Sequence, residues 1–217
     1  MEKVIAIILF LAILLSIFTH GFTKPIVIPR SLEETNITYT PRFTEETKHV
    51  LKLNEFMDCG EKDKVKIMVI IDMFWEENKL IIPILRELEK EFGERMLVEY
   101  FYAVPLGCEE CMEMSKYAKC AREFGKEEKF LECWMVKHWD EKLNANESVQ
   151  ECMKDLSLDK KEMDECLEGM GLTSDMRILS TYSITRTPTM IINCNKMLVG
   201  VHKSDFLKRI LRDTLGD

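Results

Sequence analysis

Between residues 65 and 104 the hydrophobic period of the chain changes twice, and that succession narrows the folds open to it. VKIMVIIDMF, Val65 to Phe74, is a run of β-branched and other apolar residues without alternation. A run with no polar face reads as a strand buried on both sides of a sheet. Residues 76–92 switch to helical spacing, with Leu80, Ile84, Leu85, Leu88 and Phe92 predicted on one face. Glu76 and Glu77 fall in the first turn, where the helix dipole favours acids. Gly93 is placed to end the helix. MLVEYFYAV, residues 96–104, is a second strand, closed by Pro105 and Gly107. Strand, helix and strand in this length make a βαβ unit with parallel strands.

The rest of the chain adds elements around that unit. Residues 108–170 hold no strand-like run and break at Gly125, around Asn144–Asn146, and at Gly169 and Gly171, which predicts three or four short helices. Residues 174–183 predict one more. Thr189 to Asn193 and Lys196 to Val201 predict two short strands about a turn at Asn193–Asn195. Ser204 is placed to cap a last helix, with Phe206, Leu207, Ile210 and Leu211 facing inward. The predicted class is α/β, with an all-helical subdomain at about 108–183 inserted in a domain spanning 58–217. Residues 23–57 read as a linker punctuated by Pro25, Pro29 and Pro41, with a short helix expected over 44–57.

Residues 1–22 bear on the compartment. Lys3 precedes an unbroken apolar run from Val4 to Phe18. The run is long for a signal-peptide core and short for a spanning helix, so a cleaved signal peptide and a retained membrane anchor both remain open. Either reading puts the remaining domain outside the cytoplasm, with membrane contact through this segment if it is not cleaved. Eight cysteines agree with export, because an even count in an oxidising compartment most simply means disulfides. The net charge of −8 offers no attraction for nucleic acid or anionic lipid. Asn36-Ile-Thr38 and Asn146-Glu-Ser148 match the glycosylation acceptor triplet, a pattern that arises often by chance.

The segment VKIMVIIDMFWEENKLIIP, Val65 to Pro83, resembles the active-site segment of the DsbA-like branch of the thioredoxin superfamily. In that family an apolar strand ends in an acidic-aromatic stretch. A Cys-x-x-Cys pair then opens a helix, and a proline follows five residues after the second Cys. Asp72 and Pro83 keep this frame without a gap, but Trp75 and Asn78 stand where the cysteines would be. The resemblance covers roughly residues 60–216. TRTPTMIIN, Thr185 to Asn193, is similar to the family's cis-proline segment, with Pro188 as the cis-proline. SKYAKCAREFGKEEKFLECW and KDLSLDKKEMDECLEG are similar to its helical subdomain. A secondary likeness, through the cysteine-rich insert and its Glu-Glu-Cys stretch, is to the lysosomal thiol reductases. The resemblance implies a thioredoxin-like fold.

Thiol–disulfide exchange needs an attacking thiolate and a second thiol to resolve the mixed disulfide. Trp75 and Asn78 supply neither. An aromatic beside a cis-proline can still hold an extended peptide, so Trp75, Thr187 and Pro188 are candidate binding residues, with filling of a lost site as the alternative role for Trp75. The candidate redox pair is Cys108 and Cys111, in Cys-Glu-Glu-Cys spacing after the second strand. That strand ends at the same sheet edge as the first, where open α/β folds keep their ligand sites. A helix beginning at Glu109 would put Cys108 at its N-terminus, whereas Glu109 and Glu110 oppose thiolate formation. Structural pairing is the competing role for these two. Cys120, Cys133, Cys152 and Cys166 lie one apiece on successive predicted helices, as stapling of a subdomain with a poor core would require, and each bridge would stabilise by roughly 2–4 kcal/mol. Cys59 and Cys194 can be free, pair together, or reach Cys108 or Cys111. Zinc binding by Cys108, Cys111, Cys133 and His138 fits by residue type, but disulfides are the stronger reading in an exported chain. No metal site or cofactor is assigned. The expected partners are an extended peptide, a thiol-containing protein or a redox partner protein.

Overall fold

A computed structural model of the chain describes residues 47–49 (backbone only), 59 and 63–217. The apolar run at 4–18, the three linker prolines and the Asn36 triplet lie outside the described residues. Among the described residues no helix is long and apolar enough to cross a membrane.

The described residues form one mixed sheet and seven α-helices. The strands are β1 (Thr47–His49), β2 (Val65–Ile71), β3 (Met96–Tyr102), β4 (Thr189–Ile192) and β5 (Lys196–Val199), in the spatial order β1-β5-β4-β2-β3. β2 and β3 pair in parallel, from Val65 opposite Met96 to Ile71 opposite Tyr102. β4 runs antiparallel to β2, β5 to β4, and β1 to β5. The expected βαβ unit is present, with α1 (Ile81–Phe92) as its crossover.

β2 is non-alternating because it is covered on both faces. Val65, Ile67, Val69 and Ile71 join the main core with Leu85 and Leu88 of α1. Met68 and Ile70 face a smaller cluster with Phe101, Ile178, Tyr182, Ile191 and Cys194. Each side chain buried in this way stabilises by roughly 1.5–3 kcal/mol.

The buried face of α1 holds Leu85, Leu88 and Phe92 as expected and differs at its start. Ile81, Ile82, Leu85, Leu88 and Phe92 are the buried positions, whereas Leu80 and Ile84 are only partly covered. Residues Glu76–Leu80 form a 3-10 helix before α1 begins. Leu80 therefore belongs to a turn with three residues per turn and not to the α1 stripe.

The insert comprises α2 (Glu109–Glu123), α3 (Glu127–Met135), α4 (Ala145–Asp155) and α5 (Lys160–Gly169), followed by α6 (Thr173–Thr181). Its core is not poor: Phe130, Leu131 and Trp134 are fully buried and continuous with the main core. Two bridges cross it, Cys120–Cys166 from α2 to α5 and Cys133–Cys152 from α3 to α4. The turn after β4 is tied down twice. Asn193 exchanges hydrogen bonds with the Lys66 backbone, donating its N–H and accepting through Oδ1, and Cys194 is bridged to Cys59.

Two further expectations are corrected. The helix expected over 44–57 gives way at Thr47–His49 to strand β1, which takes its structure from pairing with β5. Ser204 does not cap the last helix, α7 (Ser204–Leu215): the N-cap is Lys203, whose carbonyl accepts from the Phe206 and Leu207 N–H groups, and no side-chain cap bond forms.

Candidate functional site

The C-terminal edge of β2 is built from short-range hydrogen bonds. Asp72 leaves the strand and its Oδ1 accepts from the Phe74 N–H at 2.9 Å. The Trp75 N–H donates to the Asp72 carbonyl, and the Asn78 N–H to the Trp75 carbonyl. Burial pushes the Asp72 carboxyl above its ordinary range, and the Phe74 hydrogen bond only partly offsets this.

The two positions that carry cysteines in the DsbA-like pattern differ sharply. Trp75 is 54% exposed and caps the 3-10 helix without a side-chain cap bond. It therefore does not fill a vacated space, and its Nε1 lies 3.4 Å from Glu77 Oε2. Asn78 is fully buried. Its Nδ2 donates to the Trp75 carbonyl at 3.0 Å and to Thr187 Oγ1 at 3.3 Å, so it ties the two halves of the site together.

The Thr187–Pro188 peptide bond is cis. Thr189 opposes Ile70, which brings Pro188 level with the end of β2. Pro188 is buried and Thr187 half-buried, while Thr185 and Arg186 are exposed. Of the three candidate binding residues, only Trp75 offers a large exposed surface.

Cys108 and Cys111 are joined by a disulfide. Cys108 is the N-cap of α2, and its Sγ accepts from the Cys111 N–H at 3.2 Å. Cys108 is half-buried and Cys111 buried. The parallel register of β2 and β3 brings the loop that leads to this pair out at the sheet edge that carries Trp75. Sharing an edge is not contact, however. Among the described residues, no hydrogen bond or ring contact joins Cys108 or Cys111 to Trp75, Asn78, Thr187 or Pro188. The remaining cysteines form Cys59–Cys194, Cys120–Cys166 and Cys133–Cys152, and no free cysteine remains. Cys133 and His138, the other members of the zinc set, are otherwise engaged: Cys133 in its bridge, and His138 Nδ1 at 3.0 Å from the Leu143 carbonyl.

Sequence reasoning missed what surrounds these residues. His138 stacks on Trp134 and meets Phe74 and Trp139 edge-on, and Trp139 Nε1 donates to the Met73 carbonyl. This aromatic cluster locks the insert onto the segment before Trp75. On α2, Ser115 donates to the Cys111 carbonyl. One turn further, Lys119 pairs with the fully buried Asp175 of α6, whose other oxygen accepts the Tyr102 N–H. The helix bearing Cys111 is thus fastened to the end of β3. A Lys and an Asp separated by 56 residues carry no local signal of such a pair.

No protein-family model and no curated protein matches the sequence. Solved structures do match. A DsbA variant from Pseudomonas aeruginosa superposes with a TM-score of 0.62 at 11% identity, covering 82% of this chain and 97% of that one. The thiol-disulfide exchange protein alpha-DsbA2 from Wolbachia pipientis gives 0.60 at 16% identity, over 71% and 84%. A thioredoxin-like oxidoreductase from Silicibacter pomeroyi gives 0.57 at 17% identity, over 70% and 88%. The chain has the DsbA-like thioredoxin fold with an inserted helical domain; identities this low speak to the fold alone.

Proposed function

We propose that this protein is a thiol–disulfide oxidoreductase that works outside the cytoplasm, with Cys108 and Cys111 as its redox pair. One observation carries the reading: a closed Cys-x-x-Cys bridge at the N-terminus of a 15-residue helix, with the first sulfur half-exposed and the second covered. An incoming thiolate attacks Cys108 Sγ. A mixed disulfide forms, the Cys108–Cys111 bond breaks, and Cys111 leaves as a thiolate that takes a proton from water. A second thiol, or the same substrate's own, then displaces Cys108 and leaves with the first as a disulfide. The reverse sequence oxidises a substrate dithiol. Partial positive charge at the helix N-terminus favours the sulfur anion in either direction.

Loop size supports the assignment. The other three bridges close separations of 19, 46 and 135 residues, and this one closes 3. Chain entropy gives the longer bridges about 3, 4 and 5 kcal/mol of stabilisation and this one about 2 kcal/mol or less. Opening it costs the fold least. The extracytoplasmic assignment rests on the apolar run at 4–18 and on eight cysteines all in bridges. The test is exchange activity in a Cys108→Ser variant, which is expected to fall to the uncatalysed rate with the fold intact. Retention of activity in that variant overturns the assignment.

The exposure of Trp75 favours a second reading, a non-catalytic module that holds an extended peptide against Trp75 and Thr187. Trp75→Ala would then abolish peptide capture at unchanged stability. Capture that survives the substitution rejects this surface.

A further inference from the structure

The surroundings of Cys108 carry a charge that the redox reading does not use. Glu109 and Glu110 occupy the first turn of α2 and Glu113 the next, and all three are exposed. Among the described residues none of them takes part in a salt bridge. Lys116, one turn on, is the nearest cation in sequence on this helix. The helix N-terminus contributes about half a positive charge, against three carboxylates. Along this helix, the charge next to the sulfur that an incoming thiol must reach is therefore net negative.

Two exposed apolar residues lie on either side of Cys108 along the chain. Leu106 is 97% exposed at the tip of the turn closed by the Cys108 N–H on the Pro105 carbonyl. Gly107, at φ 80°, supplies the left-handed position that lets this turn project Leu106 outward. Met112 is 46% exposed and stands one helical turn after Cys108, its N–H on the Cys108 carbonyl. Neither is spent on the core, so the approach to Cys108 combines an acidic rim with an apolar pair.

Building on the Cys108/Cys111 reading, we infer that the substrates of this pair are polypeptide cysteines flanked by an apolar residue and by Lys or Arg, and that anionic thiols are disfavoured. Unlike charge raises the local concentration of a cationic substrate and speeds its encounter, an effect that salt removes. Leu106 and Met112 supply apolar contact that a small cationic thiol cannot use fully. In the exchange the peptide thiolate bonds to Cys108 Sγ, Cys111 departs and is protonated, and a second peptide thiol releases the oxidised peptide dimer, so two peptide thiols are oxidised as one bridge is reduced.

The experiment uses the intact disulfide-bonded protein and three reduced peptides of equal length. In each, one cysteine is preceded by Leu and flanked by two Lys, two Gln or two Glu. Opening of Cys108–Cys111 is followed by alkylation and mass mapping. Each rate is divided by the same peptide's rate with hydroxyethyl disulfide, which removes differences in intrinsic thiol reactivity. The expected order is Lys, then Gln, then Glu, spanning about tenfold at low ionic strength and collapsing in 0.5 M salt. The E109Q/E110Q/E113Q variant is expected to lose the order while still being opened. L106A/M112A is expected to slow all three peptides alike. Equal normalised rates in the parent protein overturn the inference and leave the redox reading standing. If no peptide opens this bridge ahead of the other three, the redox reading itself falls.

Discussion

Trp75 and Asn78 cannot exchange disulfides, and the structure gives them opposite surroundings. Trp75 is 54% exposed and Asn78 is fully buried. Their energetic weights differ accordingly. Trp75→Ala is expected to cost less than Asn78→Ala, because more than half of the Trp75 surface already faces solvent. Asn78→Ala removes two partly buried hydrogen bonds and is expected to cost about 1–2 kcal/mol in urea denaturation; a neutral outcome would mean that Asn78 does not hold Thr187 in place. Asp72 permits a prediction with pH. Its folded-state pKa lies above the ordinary carboxylate value, so the ionised form disfavours folding. Its favourable contribution is present below the unfolded pKa, near 4, and is lost as pH rises through the folded value. Asp72→Asn keeps an oxygen for the Phe74 N–H and is expected to be more stable than the parent at pH 7, with the difference closing towards pH 4. A variant less stable at pH 7 would show that the charged hydrogen bond outweighs desolvation.

At the scale of elements, the insert is held both by packing and by bridges. Replacing Cys133 and Cys152 by Ala is expected to lower stability by about 3 kcal/mol, and replacing Cys120 and Cys166 by about 4 kcal/mol, the longer loop giving the larger loss. A reversed order in thermal or chemical melts would assign the difference to packing. Much at this scale was legible in the sequence. β2 was readable because burial on both faces removes alternation, and the insert's helices because Gly125 and Asn144 punctuate them, the latter through a capping box with Glu147. β1 was not, since Thr47, Lys48 and His49 form a strand through β5 rather than through their own propensity. The start of α1 was not legible either, because nothing in Glu76–Leu80 announces a 3-10 turn. The pairing of the cysteines depends on which helix faces meet, which spacing alone does not encode.

At the scale of the molecule, one sheet edge carries Trp75 at the end of β2 and the loop from β3 to the proposed redox pair, Cys108 and Cys111. α1 and α7 brace the sheet behind that edge, cross-linked by Lys208 with Glu87 and Glu91 and by Arg212 with Glu91. The common edge was legible from the parallel βαβ unit. The lack, among the described residues, of a hydrogen bond between Cys108 and the Trp75–Thr187 side was not, because the path of the loop at 103–107 is set by tertiary packing. The central claim is that Cys108–Cys111 is the exchangeable bridge of this molecule. Graded thiol reductant, followed by alkylation and mass mapping of all eight cysteines, tests it most directly. Cys108 and Cys111 are expected to be labelled first, with the fold and the other three bridges still intact. Labelling of Cys59, Cys120, Cys133, Cys152, Cys166 or Cys194 before them, or opening of all four bridges together on unfolding, would contradict it.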